Sequence, residues 1–258
     1  MPDSPRRRGA LASVLLALLG LTAACGDRSP GGTTLTVYAD SSLTEVFGEM
    51  ETAYEHAVPD VDVRFVFGAS TEMAGRLSDL SPADVLVTAD AAAMNEADEY
   101  LGGRRRTVAH NSMTIAVAPG NPLRVRGLAD LARPGLRTAA GSAAAPAGRY
   151  AAELLRNAGL QNLRWTSVEV GARAVLDRVR AGDADTGIVF LTDMRSAGVA
   201  ASSVPIPADA NVVTSYPAAA VEGGGQEKAA NAFISWLTGR TARALFHKHG
   251  FPVPDAPQ

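Results

Sequence analysis

The chain has 258 residues, 47% of them hydrophobic and 20% charged, with a formal net charge of −3. That is enough ordinary globular sequence for one large or two modest α/β domains, and it holds no repeat, coiled coil or low-complexity tract. The acidic balance argues against a nucleic-acid partner but leaves room for a small anion, which backbone N–H groups can hold inside an acidic protein.

The first segment reads as a leader, not as part of the fold. Arg6, Arg7 and Arg8 are followed by the uncharged, Leu-rich run 11–21 and by Thr22-Ala23-Ala24-Cys25. The run is shorter than the roughly 20 apolar residues that a spanning helix needs, so it is expected to be a cleaved export signal. Cys25 is the only cysteine. It has no partner for an internal disulfide and is the expected lipidation site. The segment resembles a bacterial lipoprotein signal, although Thr22 stands where Leu, Val or Ile is usual. The alternative is an ordinary signal with an incidental cysteine. Removing residues 1–24 leaves 21 basic against 26 acidic side chains, a net charge of −5. Residues 25–34 then form an anchor cysteine and a flexible tether.

Strand and helix patterns alternate beyond the tether. Residues 35–39 favour a strand. Residues 43–56 carry Leu43, Val46, Phe47, Met50 and Tyr54 at helical spacing. A strand at 61–67, a helix at 71–80 stopped by Ser81-Pro82, a strand at 84–88 and a helix at 91–100 complete a βαβαβα series. Two strands, 107–109 and 113–118, end at the breaker Pro119-Gly120-Asn121-Pro122. A second series follows: helix 128–131, strand 136–140, helix 147–158, strand 164–168, helix 172–181 and strand 186–190. Residues 210–220 return to β character, and helices 227–237 and 241–249 close the chain. The expected architecture is two α/β lobes with a cleft between them. Lobe I comprises 35–115 plus 214–258, and lobe II comprises 116–213.

Ligands of open α/β sheets bind beyond the strand C-ends, where helices begin. Four such junctions offer small neutral donors: Asp40-Ser41-Ser42, Gly68-Ala69-Ser70, Pro146-Ala147-Gly148 and Gly171-Ala172. Backbone N–H groups at helix starts have no intrahelical acceptor and favour an anion. Each junction also reads as plain capping. Ser42-Leu43-Thr44-Glu45 fits a capping box, and Ser70 fits an N-cap. Arg149 reads as part of a solvated helix face. His247 and His249, at i, i+2 spacing, do not read as a metal pair. No phosphate loop, nucleophile elbow or Cys/His metal cluster occurs in the sequence.

From about residue 34 to residue 251 the chain resembles the molybdate-binding proteins of bacterial ABC importers, within the two-lobed periplasmic binding-protein class. The residues that carry the resemblance are Val37-Tyr38-Ala39-Asp40-Ser41-Ser42-Leu43-Thr44, Phe67-Gly68-Ala69-Ser70, Ser81-Pro82-Ala83-Asp84-Val85, Thr88-Ala89-Asp90, Asn111-Ser112, Pro146-Ala147-Gly148 and Gly187-Ile188-Val189-Phe190-Leu191-Thr192-Asp193. The resemblance implies a type II-like two-lobed α/β fold, each lobe a mostly parallel sheet flanked by helices. It implies molybdate or tungstate held by side chain and amide of Ser42 and Ser70 and by the amides of Ala147 and Ala172.

The same resemblance implies no cofactor beyond that ligand and a membrane permease as partner; the lipoprotein-like leader implies an anchor at the outer face of the cell membrane, and a monomer is expected. Two positions depart from the pattern. Phe190 stands where the family places a tyrosine hydroxyl, a loss of about 10- to 150-fold in affinity unless another donor substitutes. Asp40 stands where small apolar residues are common; it either turns away as a cap or accepts a proton from a singly protonated oxyanion. Sulfate, phosphate and organic anions are alternative ligands. An exported hydrolase with Ser42 or Ser70 as nucleophile is the alternative of another class, and it lacks an adjacent general base.

Overall fold

The structure is a computed structural model that describes residues 32–78 and 83–254. The leader, Cys25, most of the tether and Ser81-Pro82 lie outside the described residues.

The strands are β1 (Thr33–Asp40), β2 (Val61–Gly68), β3 (Val85–Val87), β4 (Leu101–Val117), β5 (Thr138–Gly141), β6 (Ser167–Glu169), β7 (Thr186–Phe190), β8 (Ser202–Val204) and β9 (Val213–Val221). The helices are α1 (Thr44–Ala57), α2 (Ser70–Gly75), α3 (Ala91–Glu96), α4 (Pro146–Asn157), α5 (Ala172–Ala181), α6 (Asp193–Ala197), α7 (Glu227–Leu237) and α8 (Arg240–Lys248). Strand order is β2-β1-β3-β9-β4-β7-β5-β6, with β8 also on β4. The pairs β1–β2, β1–β3, β5–β6 and β5–β7 are parallel, whereas β9 runs antiparallel to β3 and β4.

Strand β4 joins the two halves. Its first part, 101–112, pairs with β9, and its last part, 113–117, pairs with β7. The two separate strands expected at 107–109 and 113–118 are therefore one strand of 17 residues. Register shifts between Gly102 and Arg106 and between Thr107 and Ala109 break the alternation that would reveal a continuous strand in the sequence. Two helices are shorter than expected, α2 ending at Gly75 and α3 at Glu96, and the helix expected at 128–131 is a 3-10 turn over Leu128–Ala132.

Local sequence accounts for most of these elements. In α1 the apolar stripe Val46, Phe47, Met50 and Tyr54 is buried at the expected spacing. Tyr54 meets Phe233 and Trp236 of α7 edge-on, at 4.9 and 5.2 Å between ring centroids, so the last helices close over the first half. Strands β3, β5 and β7 are buried along their whole length, as parallel strands covered on both faces must be. No described helix is long and apolar enough to cross a membrane.

The parallel strands of both halves end at the junctions singled out in the sequence. Asp40 is the last residue of β1, Gly68 of β2, Gly141 of β5, Glu169 of β6 and Phe190 of β7.

Candidate functional site

The first half brings two junctions to one point. Ser42 lies in a 3-10 turn, Ser41–Leu43, directly after β1. Ser70 is the first residue of α2, directly after β2. Both are buried, with 4% and 0% of their surface exposed. Their donors meet on the carboxylate of Asp40. Ser42 donates its N–H (3.0 Å) and its O–H (2.7 Å) to Asp40 Oδ1, and Ser70 donates its N–H (3.1 Å) and O–H (2.6 Å) to Oδ2. Asp40 itself is buried.

Simple capping does not account for these serines. Leu43, not Ser42, is the N-cap of α1, and it makes no side-chain cap bond. Thr44 Oγ1 turns back to the Ser41 carbonyl. The N-cap of α2 is Ala69, which has no side chain to cap with. The expected capping box fails to form because the Ser42 hydroxyl is drawn to Asp40. Asp40 does cap the 3-10 turn through the Ser42 amide. It does not turn away, however: the same carboxylate faces Ser70.

A chain of hydrogen bonds extends from this point into the strands. Ser70 Oγ accepts from the Ala89 amide at 2.9 Å. Ser42 Oγ lies 2.9 Å from the Tyr216 hydroxyl of β9, and Asn111 Nδ2 of β4 donates to Tyr216 Oη at 3.0 Å and to Thr192 Oγ1 at 2.7 Å. Ser42 spends its proton on Asp40 and Tyr216 accepts from Asn111, so the Tyr216 hydroxyl donates to Ser42. The order is Asn111 to Tyr216 to Ser42 to Asp40. Replacing Tyr216 by Phe removes one donor and one acceptor from this buried chain. The expected loss is about 1–2 kcal/mol in urea denaturation. An unchanged midpoint would show the chain to be idle.

Burial raises the Asp40 carboxyl above the ordinary carboxylate value, opposed by the bonds from Ser70 and Ser42. Asp193, the first residue of α6, is 1% exposed and accepts from the Phe190 amide at 3.1 Å. Burial first, and the negative charge of Asp40 second, push its carboxyl up to about 7, against the pull of Arg173. The Tyr216 phenol is raised well above its ordinary value by burial and then by Asp40.

The second half packs onto this point. Helix α5, which begins with Ala172, lies against the Ser41–Leu43 turn. A Cβ placed on Gly171 would stand 3.8 Å from Ala69 Cβ. Ala147 is the second residue of α4 and Ala172 the first of α5, so neither N–H has an intrahelical acceptor. Among the described residues, two ion pairs span the halves. Arg149 of α4 grips Asp90, with Nη2 at 2.6 Å and Nε at 3.0 Å from Oδ2. Asp90 also caps α3 by accepting from the Ala93 amide at 2.8 Å. Arg173 of α5 pairs with Glu45 of α1. Arg149 is thus a fastener between the halves and not the solvated residue its helix position suggested. Its partner is 59 positions away, which hides the pairing from local pattern.

Phe190 is buried at the end of β7, with its ring centroid 6.2 Å from that of Tyr216. Tyr216 and the pairing of Arg173 with Glu45 belong to the neighbourhood but do not stand out in the sequence, and Asp193 closes the 187–193 motif without showing a role of its own there. Tyr216 sits in the run Val213-Thr214-Ser215-Tyr216-Pro217-Ala218, where a tyrosine reads as core. The only signal was a lone phenol in a strand of otherwise small residues. His249 Nε2 lies 2.9 Å from Glu49 Oε2, and no cluster of three or more metal-holding side chains occurs among the described residues.

A family model for bacterial extracellular solute-binding proteins matches residues 35–252. Over 257 residues the chain is 32% identical to a molybdate-binding protein ModA of Mycobacterium tuberculosis strain H37Rv, covering 95% of this chain and 97% of that protein. Among solved structures, the periplasmic molybdate-binding protein of Azotobacter vinelandii superposes with a TM-score of 0.72 at 21% identity, covering 86% of this chain and all of that one. The sulfate-binding protein SubI of Mycobacterium tuberculosis H37Rv superposes with a TM-score of 0.78 at 19% identity, covering 86% and 88% of the two chains. At those identities the structural likenesses establish the two-lobed α/β fold.

Proposed function

This chain belongs to the bacterial extracellular solute-binding protein family, and on that premise we propose that it captures a tetrahedral oxyanion, molybdate or tungstate, between its two halves and delivers it to the membrane permease of an ABC importer. The family is one of binding proteins and not of enzymes. The observation that carries the reading is the meeting of four uncharged donors, the N–H and O–H of Ser42 and of Ser70, on one oxyanionic group. Donors of that kind, without a fixed Lys or Arg, suit a fully deprotonated anion that has only acceptors to offer.

The starts of α4 and α5, through Ala147 and Ala172, add the second half's share of donors and a favourable dipole. Four to seven charge-assisted bonds sum to roughly 6–20 kcal/mol gross before the costs of ordering and closure. Tyr216 brings a phenol to the site from β9, but its proton is given to Ser42, so it orients that serine and does not replace the donor absent at Phe190. The Arg149–Asp90 and Arg173–Glu45 pairs link the halves, and closure on the anion would present one shape for a permease to recognise. Cys25, acylated, would hold this monomer at the outer face of the cell membrane.

Sulfate is the second reading, since the donors are hydroxyls and amides that any tetrahedral oxyanion can use, and a sulfate-binding protein shares the fold. Calorimetry of the purified protein with molybdate, tungstate, sulfate and phosphate separates these. A saturable one-to-one heat with molybdate and tungstate is expected; silence with all four anions ends the proposal.

Asp40 sets a condition on any such ligand. At an effective dielectric of about 20, a dianion 4 Å from a carboxylate is disfavoured by about 8 kcal/mol. That is comparable to the whole gain from several donors, so the two negative groups do not share the site unchanged.

A further inference from the structure

We propose that the protein takes up its oxyanion together with one proton, shared between the Asp40 carboxyl group and an oxygen of the anion. The proposal rests on the reading of this site as an oxyanion site, and it adds the form in which the anion is held.

Every N–H and O–H of Ser42 and of Ser70 is committed to Asp40, two to each oxygen. An anion that takes these donors takes them from a buried carboxylate. That carboxylate would then stand beside a dianion, stripped of the bonds that made its burial tolerable.

The groups around it do not supply the missing positive charge. Asp193 on α6 adds a second negative group, and its influence on Asp40 and Tyr216 is repulsive. Tyr216 on β9 is neutral and reaches Asp40 only through Ser42. The two arginines that cross between the halves are each engaged by a carboxylate: Arg173 by Glu45 of α1, and Arg149 by Asp90. One proton from solvent meets the need. Carboxylate, dianion and proton together carry a charge of −2 where the unprotonated pair would carry −3. The proton also turns a repulsive oxygen–oxygen contact into a hydrogen bond of the strong O–H···O⁻ kind. Burial already favours the protonated form of Asp40, which works in the same direction.

The test is calorimetry with sodium molybdate at about pH 8.5 in two buffers of different ionisation enthalpy, repeated from about pH 6.5 to 9. Wild type is expected to bind about one proton per molybdate, with Kd rising up to about tenfold per pH unit at the alkaline end. In Asp40→Ser, and in the near-isosteric Asp40→Asn should the serine variant not fold, the proton count falls to about zero and Kd becomes flat with pH. In Asp193→Asn the count persists.

Molybdate bound by wild type with no proton, at constant Kd, overturns the role of Asp40 and leaves the proposed function standing. Proton uptake that survives in the Asp40 variants, or that vanishes in Asp193→Asn, overturns it as well. If neither wild type nor Asp40→Ser binds molybdate, tungstate, sulfate or phosphate, the proposed function fails and this inference with it.

Discussion

Asp193→Asn is expected to stabilise the protein at pH 8 by an amount on the order of 4 kcal/mol and to flatten its stability between pH 4 and 7. In the folded protein the Asp193 carboxyl is pushed up to about 7, from an ordinary value of 3.8, by burial and by the charge of Asp40. The folded state therefore binds this proton more tightly than the unfolded chain does. The favourable contribution is complete below about pH 3.8 and is lost as pH rises toward 7, above which the penalty is constant. A difference of about three units corresponds to roughly 4 kcal/mol. The asparagine keeps an acceptor for the Phe190 amide and carries no charge to bury. Urea denaturation of wild type and variant at about pH 5 and 8 reads the effect. Parallel pH dependence in the two proteins would show that Asp193 is not the group responsible.

Gly148→Ala is expected to cost about 3 kcal/mol and to abolish anion binding. Gly148 is the third residue of α4, laid directly on the end of β5, where an added Cβ would run into the carbonyl oxygens of Ser142 and Gly141. Gly141 is equally close in return: a Cβ there would meet the Gly148 amide nitrogen at 2.9 Å and Ala147 Cβ at 3.1 Å. These obstacles are backbone atoms, so relief requires the helix start to lift off the strand, carrying Ala147 away from the first half. A fall in melting temperature of roughly 6–12 °C is expected for a body of this size. Gly127→Ala is the control. Its backbone is extended and nothing lies within 4 Å of the added carbon, so its melting temperature should not move. Equal melting of the two variants would refute the argument.

The candidate site was only partly legible in the sequence. Ser42 and Ser70 stood out as small donors at helix starts, and the fold does bring them together, 28 positions apart, on one group. That group, Asp40, was visible as an unusual carboxylate, but its direction was not. Whether an aspartate after a strand caps its own turn or serves a neighbouring strand depends on how close β2 lies to β1. Here the register pairs Asp40 with Gly68, two residues before Ser70. The role of Tyr216 was not legible, because its partner Ser42 is 174 positions away and β9 must first be inserted between β3 and β4.

By itself, the sequence determined where most of the strands and helices fall, though not β8, α6 or the continuity of β4, and it determined that parallel strands end in small polar turns and that both halves offer helix starts free of bulky side chains. These follow from periodicity and turn chemistry, which act over a few residues. Only the tertiary structure decided that β4 is one strand shared by both halves, that Arg149 and Arg173 fasten those halves to each other, and that a carboxylate of the protein itself occupies the donors. Each of those outcomes is a contact between residues far apart in the chain. Its energy depends on burial and on the company of other charges, and neither exists until the chain has folded.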